Sequence, residues 1–120
     1  MTAKKIIPIE EIAKCSRQLR KEGRRIVLCH GAFDLMHSGH IRYLQRAKQE
    51  GDILLVTVTA DAFVNKGPDR PVFGEQLRAE NIAALACVDQ VAINHSVSAI
   101  DALNEIRPNI YAKGAEYRSH

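Results

Sequence analysis

The sequence predicts an α/β fold, a doubly wound parallel sheet in a single domain with helices on both faces. Two observations predict it. Short apolar and β-branched runs recur at Arg25–His30 (RIVLCH), Asp52–Thr59 (DILLVTVT), Gln90–Asn94 (QVAIN) and Asn109–Lys113 (NIYAK). They are close to continuous rather than alternating, as in strands covered on both sides. Segments with apolar residues at helical spacing separate them, so strand and helix alternate along the chain. That alternation makes the strands parallel, and right-handed crossovers nearly determine their order, which gives a Rossmann-like arrangement.

Taken in order, Ile9, Ile12, Cys15 and Leu19 predict an N-terminal helix over 8–23, closed near Gly23. The first strand, 25–30, leads to a helix over 39–49 with Ile41, Leu44 and Ala47 on one face and Gly51 at its end. The second strand, 52–59, is followed by Asp61, which suits the cap of a short turn through Asn65. Gly67, Pro68 and Pro71 make Lys66–Phe73 a loop. Glu75–Cys87 reads as a helix and Gln90–Asn94 as the third strand. Ser98 with Asp101 resembles a capping box, opening a helix that aligns Ile100, Leu103 and Ile106 until Pro108 stops it. The fourth strand is 109–113. No repeat or second domain is visible, so residues 1–120 read as one domain.

Composition narrows the classes of function. The net charge of +3, from 17 basic and 14 acidic residues, is too small to imply nucleic acid, and the absence of Trp leaves no obvious stacking platform. The basic residues cluster only at Arg17–Arg25, which reads as a solvated helix face. Ile53–Val58, the longest apolar stretch, is too short to span a membrane, and Met1–Pro8 lacks the apolar core of a secretion signal. Cys15, Cys29 and Cys87 are odd in number and form no C-x-x-C pair, so buried free thiols and a reducing cytoplasm are expected.

Parallel sheets bind ligands outside the carboxyl ends of their strands, where the strand order reverses. Gly31–His40 (GAFDLMHSGH) falls there, as do Thr59-Ala60-Asp61 and Lys113-Gly114. Gly31 permits a sharp turn, Phe33 is placed to pack beneath it, and Asp34 to hold it through nearby backbone N–H groups. His37 and His40 share a face at a helix start, and Gly39 leaves room for phosphates there. Two other readings of the histidines exist: a zinc site including His30, or helix capping alone. Zinc pairs are usually spaced i, i+4, and the surrounding Gly31, Phe33, Asp34 and Gly39 exceed what a cap requires.

These residues carry a resemblance. Gly31–His40 looks like the signature of the cytidylyltransferase-like nucleotidyltransferases, whose H-x-G-H element is akin to that of class I aminoacyl-tRNA synthetases. Lys66–Val72 (KGPDRPV), Arg78, Val88-Asp89 and Lys113–Tyr117 (KGAEY) are most similar to elements of the heptose 1-phosphate adenylyltransferases. The resemblance implies transfer of a nucleoside monophosphate from a nucleoside triphosphate, ATP favoured, to a sugar phosphate, with Mg²⁺ and release of pyrophosphate. It implies catalytic roles for His37, His40, Lys66 and Arg78, the last adding positive charge to the crevice. Nucleotide binding would fall to Gly31, Ala32, Phe33, Asp34 and Gly39, with Lys113, Gly114 and Glu116 near ribose and base. Asp61 and Arg70 would meet the second substrate. Asp61 could instead serve only as a helix cap, and His95 reads as a surface loop residue. A homodimer is compatible with the family; nucleic acid and membrane partners are not expected.

Departures accompany the match. The family's final Ser/Thr-rich segment has no counterpart before His120, Ala115-Glu116 replaces Gly-Asp, and His30 stands where the heptose enzymes tend to have Asn. A glycerol-3-phosphate-type cytidylyltransferase is the alternative within the class, disfavoured by the 66–72 loop. A nucleotide-binding module without catalysis is the alternative outside it.

Overall fold

Strands β1 (Ile26–Gly31), β2 (Ile53–Thr59), β3 (Gln90–Asn94) and β4 (Ile110–Ala112) form one parallel sheet in the order β3-β2-β1-β4. The computed structural model describes residues 5–64 and 69–113. The chain steps outward from β1 to β3 and then returns to β4, so the order reverses between β1 and β4. Register is direct: Cys29 lies opposite Val56 on one side and Ala112 on the other.

Helices α1 (Ile9–Lys21) and α4 (Ile100–Ile106) cover one face, and α2 (Ser38–Lys48) and α3 (Glu75–Ala83) the other. Alternation along the strands sorts the side chains between them. Ile26, Leu28 and Leu55 meet Ile12 and Ile106 beneath α1 and α4. Val27, Cys29, Leu54 and Val56 meet Leu44, Ala79 and Ile82 beneath α2 and α3. Leu44 is fully buried, and its truncation to Ala would cost about 3 kcal/mol. Tyr43 donates its hydroxyl hydrogen to the Ala112 carbonyl, which ties α2 to β4 across the switch point.

Most element boundaries agree with the expectations to within two residues, and β3 spans the expected 90–94. Three details differ. The segment before α1 extends the sheet: Ile7 N–H donates to Val91 at 3.0 Å and Val91 N–H to Lys5 at 2.8 Å. Helix α3 ends at Ala83 rather than Cys87, because i→i−3 bonds at Leu85 and Val88 tighten the chain. Val88 is thereby buried, and the Asp89 carboxylate accepts from Leu54 N–H and from Lys48. The capping box does not form: Ser98 Oγ accepts from Ile100 N–H, while Asp101 accepts from Ser96.

Candidate active site at the start of α2

His37 is the cap residue of α2, with extended backbone, and its Nδ1 accepts from Gly39 N–H at 3.0 Å. His40, one turn on, accepts at Nδ1 from His37 N–H at 3.2 Å. The two imidazoles thus cap the helix reciprocally, with ring centroids 4.1 Å apart. A neutral ring that accepts at Nδ1 carries its hydrogen on Nε2, so both rings are Nε2–H donors. Those donors stand at the positive dipole end of an 11-residue helix.

Local sequence forces this geometry. Phe33 takes the left-handed conformation (φ 51°), and its buried ring packs edge-on against His40 at 5.8 Å. A Cβ on Gly31 would lie 3.0 Å from that ring. A Cβ on Gly39 would lie 2.7 Å from His37 Cε1, so Gly39 makes room for the His37 ring itself.

Asp34 reaches farther than the local turn expected of it. Its carboxylate accepts from Val72 N–H and Phe73 N–H at 2.8 Å each, and from Arg70 at 3.2 Å. Burial alone would raise its carboxyl, but the Phe73 and Val72 amides and the Arg70 charge outweigh burial and hold it below the usual range. Asp34 therefore fastens the 70–73 segment to the loop that leads into α2.

Arg78 requires a correction. It was expected to add positive charge to the crevice, yet its side chain is wholly buried beneath it. It donates to the carbonyls of Phe73, Ala32 and Thr59 at 2.8, 2.8 and 2.6 Å, and to Asp61 Oδ1 at 2.7 Å. Asp61 opens the short 3₁₀ turn Asp61–Phe63 instead of capping it, since Ala60 holds the cap position. Its carboxylate faces Arg78, and its N–H donates to Glu75. The β1–α2 loop, the end of β2 and the β2–α3 connection are joined through one guanidinium.

From the sequence, His30 figures only as a possible zinc ligand and as a departure from the family's Asn. At the end of β1, half-buried, it places Nδ1 2.8 Å from Thr57 Oγ1 and Nε2 3.4 Å from Thr59 Oγ1. Desolvation lowers its pKa against an opposing hydrogen bond with the Thr57 backbone, so the ring is kept neutral. Its engagement with threonines also separates it from any joint site with His37 and His40. Among the described residues, no three His, Cys, Asp or Glu side chains are grouped to hold a metal ion.

Lys113 lies exposed just past β4, beside the switch point. Lys66, Gly114 and Glu116 lie outside the described residues. The grooves of ≈ 790 and ≈ 580 Å³ on the described surface run along α1 and α4 and are lined by none of the expected site residues. Among the described residues, no helix is long and apolar enough to cross a membrane.

Comparison with known proteins gives a consistent set of relatives. The cytidylyltransferase-like family matches residues 28–120. The bifunctional protein HldE of Nitratiruptor sp. is 42% identical over 111 residues, 91% of this chain and 24% of its own length. The HldE proteins of Methylobacillus flagellatus and Helicobacter pylori strain G27 are each 41% identical, over 96% and 97% of this chain and 24% and 25% of their own. The chain thus spans about a quarter of the length of the curated relatives it matches. A lipopolysaccharide core biosynthesis protein from Thermoplasma volcanium superposes with a TM-score of 0.68 at 34% identity, covering 74% of this chain and 73% of that one.

Proposed function

The chain belongs to the cytidylyltransferase-like family, and we propose that it transfers a nucleoside monophosphate from a nucleoside triphosphate, ATP favoured, to a sugar phosphate. The observation that carries the proposal is the pair of mutually capping histidines at the start of α2, at the point where strand order reverses. An oxygen of the acceptor phosphate attacks the α-phosphorus in line, the bond to the bridging oxygen breaks, and pyrophosphate leaves with that oxygen. No proton need be removed from an ionised acceptor phosphate. The work left to the protein is positioning and charge stabilisation.

His37 and His40 supply Nε2–H donors to the triphosphate oxygens, strongest where charge accumulates on the leaving group. The backbone from Gly31 to Phe33 lets the nucleotide lie close, and Asp34 keeps that loop and the 70–73 segment in one arrangement. Arg70, exposed and held at one nitrogen by Asp34, is placed to meet the acceptor phosphate. Lys66, by resemblance, adds a second positive charge. Lys113, Gly114 and Glu116 are assigned to ribose and base on the same ground, and Asp61 and Arg78 hold the floor of the site. Mg²⁺ would enter on the triphosphate and neutralise its charge, consistent with the ion's preference for substrate phosphates over an all-protein cage.

The test is pyrophosphate release from each of the four nucleoside triphosphates across a panel of sugar 1-phosphates. The proposal expects turnover with ATP and a phosphorylated sugar. Nucleotide binding without turnover across the panel would favour a non-catalytic module, and turnover with CTP alone would favour the cytidylyl alternative.

A further inference from the structure

On the α1/α4 face, the sheet is aliphatic until its carboxyl edge, where it becomes polar. Ile26 and Leu28 are followed by His30, Leu55 by Thr57 and Thr59, and Ala92 by Asn94. Thr57 is fully buried and Asn94 nearly so, and both have defined partners, His30 and the Ser98 carbonyl. The aliphatic run of the sheet interior thus ends at the level where the strands meet their loops. The polar edge also runs away from β4, toward β2 and β3, while the triphosphate site occupies α2 and the β1/β4 switch point.

We propose that His30 is a specificity-determining residue for the acceptor, whose Nε2 hydrogen-bonds a sugar hydroxyl lying across the ends of β1 and β2. This rests on the functional reading above. Nδ1 is engaged by Thr57 Oγ1 at 2.8 Å. Among the described residues, Nε2 meets Thr59 Oγ1 at 3.4 Å, a weak contact that a ligand hydroxyl can replace or share. A sugar hydroxyl both donates and accepts, so it pairs with Nε2 in either tautomer, and burial disfavours the charged ring that an anionic oxygen would seek. His37 and His40 thereby serve the phosphates, and His30 a neutral hydroxyl.

Two measurements test this. ¹⁵N NMR of the His30 imidazole reads contact without any turnover; titration with a hexose 1-phosphate is expected to move its ¹⁵Nε2 signal. Steady-state kinetics of His30→Ala and His30→Gln, each checked for an unchanged melting profile, read the role. A loss of roughly tenfold in kcat/KM for the sugar phosphate is expected, from a raised acceptor KM with the triphosphate KM unmoved. That loss disappears with the deoxy acceptor lacking the recognised hydroxyl, and Gln, which retains an acceptor oxygen, recovers part of it. An unmoved His30 ¹⁵Nε2 signal, an unchanged acceptor KM, or a change confined to the triphosphate KM overturns the inference. If wild type turns over no sugar phosphate, the functional reading fails separately. His30 is then judged by titration with a hexose 1-phosphate: movement of its ¹⁵Nε2 signal sustains hydroxyl recognition, and no movement overturns it.

Discussion

The guanidinium of Arg78, wholly buried on α3, donates at 2.8 Å to the carbonyl of Ala32, in the loop that enters α2. The same group holds Thr59, Phe73 and Asp61, so the crevice floor is a single hydrogen-bonded unit. Removing it leaves several buried acceptors unpaired. Arg78→Met is expected to lose about 3 kcal/mol or more of unfolding free energy in urea titration. Arg78→Lys, lacking the planar fork, should lose somewhat less, about 2 kcal/mol. Full stability with lost turnover would instead place Arg78 among the groups that touch substrate.

Asp34 makes a related prediction about pH. Its carboxyl is held below its ordinary value of 3.8, so the folded state binds the proton more weakly than the unfolded chain. The stabilisation is therefore complete above the unfolded value and is lost as pH falls below about 3.8 through the folded value. Asp34→Asn should abolish this component between pH 4 and pH 2, as read by denaturant titration at each pH, and should loosen the 70–73 segment in hydrogen exchange. An unaltered pH profile would contradict the assignment.

Gly39→Ala separates folding from geometry. Alanine at a helical position gains up to about 1 kcal/mol over glycine, while displacing His37 from its cap costs about 1 kcal/mol. The melting temperature should move little. Turnover should fall by more than about tenfold, because the new Cβ occupies the place of the His37 ring, 2.7 Å from Cε1.

The thiols should differ in reactivity. Burial pushes Cys29 up to about 12, against a smaller opposing hydrogen bond with Tyr43, and its side chain is inaccessible. Iodoacetamide at pH 8 should label native protein at Cys15 and Cys87 long before Cys29, with Cys29 modified only at the rate of global unfolding. Early modification at Cys29 in folded protein would show that α2 opens over β1.

The parallel strands, the helices between them and the placement of His37 and His40 at a helix start were legible because they depend on local pattern: continuous apolar runs, helical spacing, and a glycine-bearing turn between them. What was not legible depends on distance. Asp34 was expected to hold its own turn, and instead binds Val72 and Phe73, residues that no local rule connects to it. The end of α3 was misplaced because Ala84–Cys87 is locally helix-compatible, whereas burial of Val88 and the Asp89 contact with Leu54 decide where the helix stops. Arg78 did carry a signal: it precedes Ile82 by one helical turn and so shares its buried face, but a charged residue there is ordinarily assigned to solvent.

The central claim is that the reciprocal His37–His40 cap is the centre of nucleotidyl transfer. It is tested most directly by pyrophosphate release from ATP and a sugar 1-phosphate in His37→Ala and His40→Ala, measured beside wild type with melting curves for all three. Each variant should remain folded and lose roughly a hundredfold or more of kcat, the scale of removing one preorganised donor. Turnover unchanged in both folded variants would contradict the account.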